Sequence, residues 1–204
     1  MNETAMISLG LIIQLFVLIN PLSSVPFLLH VYEKKQPKRK KRDIRLIAIS
    51  AVATAFAIAI VIIFTGPTLF DIFGITIDSF RIAGGIVLLL LGLDTIRAKH
   101  NHEEMKTEGV DSLISIIATP LLTGPATISF ITIKTYELGQ IPILLNVTLA
   151  FLLVGIVFFL CSLMIERINH NLINIISRVL GLFLTAVGIE MISKGLLGVL
   201  GSTV

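Results

Sequence analysis

Charge is what this sequence has least of. Only 14% of its 204 residues are charged, against 55% apolar, where soluble domains run near a quarter charged. The shortage is concentrated along the chain. Leu46–Phe70, Leu113–Ile133 and Leu138–Ile165 hold no Asp, Glu, Lys, Arg or His, and Ala5–Val31 holds only His30. Each run has at least 21 residues, and about 20 residues of helix cross the ~30 Å hydrocarbon core of a bilayer. A soluble domain of this length has no interior able to hide four such runs, so a soluble fold is excluded.

Cysteine is nearly absent as well. Cys161 is the only one and lies inside an apolar run, which excludes a disulfide framework and a thiolate metal site. There is no Walker A pattern, G-x-S-x-G elbow or H-E-x-x-H helix, so ATP-driven transport by this chain and hydrolysis have no support. No histidine occupies the centre of a span and Cys161 has no nearby base. No catalytic residue, metal site or cofactor is therefore expected. Met1–Thr4 carries no basic residue, and the run that follows is too long for a signal core and lacks a small-residue cleavage site. It reads as a retained helix.

What is present organises itself around the apolar runs. Two shorter segments, Ile82–Leu93 between Arg81 and Asp94 and Val179–Ile189 between Arg178 and Glu190, extend through their flanks to plausible spans. The count is then six, at about 5–31, 44–68, 78–97, 112–133, 141–165 and 174–199. The 32–43 loop holds seven of the 16 basic residues, and the positive-inside rule puts it in the cytoplasm. Both termini and the Pro67–Ile77 loop then lie outside, where only Lys134 and Lys194 go against the rule. The basic loop also has the composition of a nucleic-acid or anionic-lipid patch, but topogenesis explains it fully and no nucleic-acid partner is expected. His100–Glu104 reads as a solvated loop.

The chain repeats itself. Asn20-Pro-Leu-Ser-Ser-Val-Pro26 matches Thr119-Pro-Leu-Leu-Thr-Gly-Pro125 at an offset of 99. Arg81-Ile-Ala-Gly84 resembles Arg178-Val-Leu-Gly181, and Gly92-Leu-Asp94-Thr-Ile96 resembles Gly188-Ile-Glu190-Met-Ile192, at offsets of 97 and 96. A repeat of three spans must enter the membrane upside down relative to its first copy. Inverted repeats with interrupted helices in matching positions are a signature of secondary transporters. The expected architecture is an all-α integral membrane protein, one domain over 1–204, with six transmembrane helices as two inverted three-helix repeats (about 5–97 and 112–199) and Pro-broken helices 1 and 4.

Proline removes a backbone donor and clashes with the carbonyl four residues back, so each P-x-x-x-x-P pair should open its helix near the bilayer midplane. Freed backbone and half-helix ends can hold a polar or zwitterionic solute there. The substrate-binding residues expected on this basis are Asn20, Pro21, Ser23, Ser24, Thr119, Pro120, Thr123 and Gly124. The plainer reading is that the prolines only kink two helices for packing. Arg81, Asp94, Arg178 and Glu190 form the second candidate set, since ionisable residues in a span are costly unless paired or hydrated. They serve either ion coupling or structural pairing. Arg81 and Arg178 are near enough to helix starts to snorkel, Asp94 has Arg97 three residues on, and Glu190 has Lys194 four on. Gly84, Gly85, Gly92, Gly181 and Gly188 permit close helix approach.

Taken in order over about residues 8–199, the NPLSSVP, FRIAGGIVLLLLGLDTI, IATPLLTGPATIS and RVLGLFLTAVGIEMI segments resemble the MarC family. The resemblance implies a six-span inner-membrane protein related to the LysE-type exporters, with neutral amino acid transport described for some members. The function expected is a secondary transporter or exporter of small neutral amino acids, with Na⁺ or H⁺ as a possible coupling ion. A membrane-embedded enzyme and a non-transporting regulatory membrane protein are the alternatives.

Overall fold

The computed structural model describes residues 7–21, 41–97, 124–163 and 170–201, the side chains of 41–44, 170, 171 and 174 aside. The described residues are helical, with no strand among them. The helices are α1 (Leu9–Ile19), α2 (Lys41–Phe73), α3 (Ile77–Arg97), α4 (Pro125–Leu138), α5 (Gln140–Leu163) and α6 (His170–Gly201). Four of them, α2, α3, α5 and α6, are long and apolar enough to cross a membrane, and α1 is a shorter apolar helix. Large apolar side chains such as Leu182 (60% exposed) and Leu197 (71%) point away from the protein. That is a surface suited to lipid, since a soluble domain rarely exposes so continuous an apolar face.

Local chemistry sets most helix ends. Ser8 caps α1, its Oγ accepting from the Leu11 amide at 3.4 Å. Thr76 caps α3, accepting from the Ser79 amide at 3.2 Å. Gly74 closes α2 with φ +61°. There the Ile75 amide reaches back to the Phe70 carbonyl at 3.1 Å, the six-residue return that glycine makes possible. One boundary departs from the sequence reading. The second span was expected to stop near 68, with Pro67 opening a loop, yet α2 continues through Pro67 to Phe73. Gly66 has no Cβ to meet the proline ring, which relieves the usual clash with the preceding residue. Phe70 is also held by ring contacts with Phe80 and Tyr136, at 5.0 and 5.7 Å between centroids.

Two helix pairs make the frame. α2 and α5 meet along Ala48, Ala51, Ala55 and Ala59 on one side and Val147, Ala150, Val154 and Phe158 on the other, all buried. Small residues at helical spacing let the two backbones approach. α3 and α6 run antiparallel, the closest pair of all. A Cβ on Gly85 would sit 2.7 Å from the Gly188 carbonyl, and one on Gly92 would sit 2.8 Å from the Gly181 carbonyl. The offset of 96 that aligns Gly92 with Gly188 also carries Gly85 onto Gly181. One contact thus becomes the other when the helices are exchanged.

The connections fix the vertical order. The Ser8 amide donates to Asn146 Oδ1 at 2.9 Å, so α1 starts beside the first turns of α5. α5 in turn begins directly after α4 ends. The start of α1 and the end of α4 therefore share one end of the bundle, together with Arg81 at the start of α3. We refer to it as the Arg81 end; α3 finishes at the other, the Arg97 end.

Candidate functional site

Two short helices stop inside the bundle. At 1.5 Å per residue, the 11 residues of α1 and the 14 of α4 are roughly 16 and 21 Å long, each too short to cross a ~30 Å core alone. They are antiparallel and touch, so the C-terminus of α1 and the N-terminus of α4 lie at a similar depth.

The stop in α1 is built by two residues. Pro21 has no N–H, so the Val17 carbonyl loses its helical partner. Asn20 takes the left-handed conformation (φ 44°), which Asn tolerates better than other side-chain-bearing residues. Its amide still donates to the Phe16 carbonyl at 3.1 Å. Asn20 is 6% exposed, and its Oδ1 has no hydrogen-bond partner among the described residues. A buried acceptor left without a donor costs about 1–3 kcal/mol, which a bound donor or cation would recover. The end of α1 therefore offers the Asn20 Oδ1 as an acceptor at the negative pole of a helix.

α4 begins the other way round. Gly124 is extended (φ −67°, ψ 170°) and has no side chain to cap the helix, and Pro125 lies in the first turn. The leading amides after it are donors at a positive pole, which favours anions. Below them Thr127, Ser129, Thr132 and Thr135 are buried, each at most 8% exposed. Thr132 and Thr135 return their hydroxyls to the carbonyls of Ile128 and Ile131, both at 2.8 Å. Asn20, Pro21 and Gly124 are thus placed. Ser23, Ser24, Thr119, Pro120 and Thr123 lie outside the described residues.

The charged set divides. Arg81 Nη1 is 2.5 Å from Asp78 and Nη2 is 2.5 Å from Glu137 of α4, which also takes Lys134 at 2.6 Å. Glu190 pairs with Lys194 at 2.7 Å, both more than half exposed. Arg81 and Glu190 line one cavity of about 60 Å³ with Gln14, Lys134, Glu137 and Lys194. Asp94 and Arg178 are both exposed near the Arg97 end, and neither forms an ion pair among the described residues. The pairing of Asp94 with Arg97 expected from spacing is not made, and Arg81 is bound within a cluster rather than simply snorkelling. Sequence reasoning missed Glu137 and Gln14. The signal available was Lys134 and Lys194, the two cations that break the charge rule.

A larger cavity, about 450 Å³, lies between α2 and α5 and is lined almost wholly by apolar side chains such as Val52, Phe56, Phe151 and Phe159. Its Thr148 hydroxyl already donates to the Leu144 carbonyl at 2.7 Å. It offers no chemistry. Among the described residues no cluster of His, Cys, Asp and Glu could hold a metal ion.

Residues 6–200 match the MarC family of integral membrane proteins. The chain belongs to the MarC family. A UPF0056 membrane protein of Methanocaldococcus jannaschii is 35% identical, covering 91% of this chain and 94% of the relative. Another from the same organism is 31% identical over 93% of this chain and 86% of its own length. The UPF0056 membrane protein YhcE of Escherichia coli is 31% identical over 92% and 90%. No solved structure matches. Membership in MarC and four long apolar helices make this a multi-pass integral membrane protein.

Proposed function

We propose that this MarC-family protein is a secondary transporter of small neutral amino acids, held at the midplane between the ends of α1 and α4. The carrying observation is the pair of opposed helix poles at similar depth. The acceptor pole at Asn20 suits an ammonium, and the uncapped donor pole after Gly124 suits a carboxylate, so together they fit a zwitterion with no net charge. The motif repeat supports reading both stops as breaks in two spans, giving six spans in two inverted repeats. The Gly85–Gly188 and Gly92–Gly181 contacts, which interchange when α3 is swapped with α6, support the same symmetry. Such symmetry provides two related packings of one chain, which is the basis of alternating access. On the positive-inside rule the Arg97 end faces the cytoplasm of an inner-membrane protein, and both termini lie on the far side.

The test is solute counterflow in proteoliposomes across the neutral amino acids, with and without Na⁺ and proton gradients. Counterflow of at least one amino acid is expected, impaired in Asn20→Gly. A complete absence of counterflow across the panel would remove the transport reading.

A further inference from the structure

We propose that the cavity at the Arg81 end is a second binding site, for the zwitterionic head of a small α-amino acid. Its carboxylate is taken by Arg81 and Lys134 and its ammonium by Glu190. The proposal deepens the transport reading by placing an access site on the solute's route to the midplane.

The sharing of one carboxylate between two cations carries the argument. Three cations (Arg81, Lys134 and Lys194) but only two carboxylates (Glu137 and Glu190) line the cavity. Asp78 offsets Arg81 from outside that wall. Glu137 divides itself between Arg81 at 2.5 Å and Lys134 at 2.6 Å. One carboxylate serving two cations is an arrangement a second carboxylate can join: the ligand takes one oxygen contact from each cation while Glu137 keeps the other. Arg presents a planar fork suited to a carboxylate, and Lys a compact point charge beside it.

Position adds to this. Lys134 and Lys194 stand at the end of the bundle where the charge rule disfavours cations, so topogenesis gives no reason for them. The Lys134 ammonium also lies 5.9 Å from the Phe130 ring centroid, which holds it over the cavity wall. Glu190 and Lys194, at 58% and 59% exposure, form the mouth. About 60 Å³ holds roughly two waters. That is room for a carboxylate displacing them, with the rest of the solute extending through the mouth.

The experiment is equilibrium binding to the full-length protein in detergent, read as ligand-induced thermal stabilisation, with L-alanine, propionate and ethylamine as probes. It involves no translocation, so it can succeed or fail independently of counterflow. L-alanine should stabilise with saturation, and more strongly than either single-charge probe. Lys134→Gln should raise the half-saturating concentration about tenfold, and Glu137→Gln, by removing the competing carboxylate, should lower it by a similar factor. Glu190→Gln should erase the advantage of L-alanine over propionate. If L-alanine saturates identically in the wild type and all three variants, or if no probe stabilises, the site does not exist as assigned. Propionate matching L-alanine in the wild type would overturn the role of Glu190.

Discussion

At the Arg81 end, an arginine that opens an R-[IV]-x-G motif is clasped by Asp78 on its own helix and by Glu137 on α4. At the Arg97 end, Arg178 opens the same motif on α6 and is exposed with no ion pair among the described residues. Asp94 and Glu190 contrast in the same way: Glu190 is joined to Lys194, and Asp94 forms no ion pair among the described residues. Among the described residues the two ends share their motifs, but a third helix brings a carboxylate only to the Arg81 end. The environment of an ionisable residue in a span is set by that supply, and only secondarily by its own helix.

The shared frame should break first and most strongly. Gly85→Leu drives a side chain into the Gly188 carbonyl, and Gly181→Leu does the same at Gly92. Overpacking of this kind costs 1–3 kcal/mol or more, read as a large fall in thermal midpoint in detergent. The two variants should fall by similar amounts, because the contacts are each other's image. Gly155→Ala, whose new methyl would meet only Val52 at 3.6 Å, should leave the midpoint nearly unchanged. Unequal falls for Gly85 and Gly181 would argue against the symmetry.

The charged ends come next. Arg81→Gln strands Asp78 and half of Glu137 and should cost about 1–3 kcal/mol. Arg178→Gln should stay within about 0.5 kcal/mol, as for an exposed unpaired charge. Equal effects in thermal unfolding would erase the contrast between the ends.

Asparagines provide a finer test. Asn146 joins two elements, accepting from the Ser8 amide at 2.9 Å and donating to the Pro142 carbonyl at 2.7 Å, so Asn146→Ala should cost about 1–2 kcal/mol. Asn20→Gly keeps a residue that tolerates φ 44° and removes a buried acceptor with no partner. Its stability should hold or rise by up to about 1 kcal/mol while counterflow falls. A stability loss matching that of Asn146→Ala would make Asn20 a structural residue rather than one awaiting a ligand.

A modest effect is expected at the turn between α2 and α3. Gly74→Ala places a side chain at φ +61° with open space around it, so it should cost about 1 kcal/mol through backbone strain alone.

Several of these features were legible in the sequence. Hydropathy located the apolar helices, and α3, α5 and α6 begin and end within a few residues of the expected spans. Asn20 and Pro21 coincide with the end of α1, and Pro125 with the start of α4. The Glu190–Lys194 pair followed from a spacing of four on one helix. The glycines at 85, 92, 181 and 188 advertised a close approach without naming its partner. Two local features were misread: α2 continues through Pro67, where Gly66 has no Cβ to meet the ring, and Asp94 does not pair with Arg97.

Sequence by itself determined that the chain belongs in a bilayer, which segments are helical and where backbone bonding fails, because each of these depends on residues within a turn or two. Only the tertiary structure decided that α1 and α4 stop at similar depth from the same end, that Gly85 meets Gly188 and Gly92 meets Gly181, and that Glu137 comes to Arg81 from 56 residues away. Those outcomes depend on which helix faces are opposed and at what height. Hydropathy sums along one helix and carries no term for its neighbour, so the meeting of two helices has to be read in space.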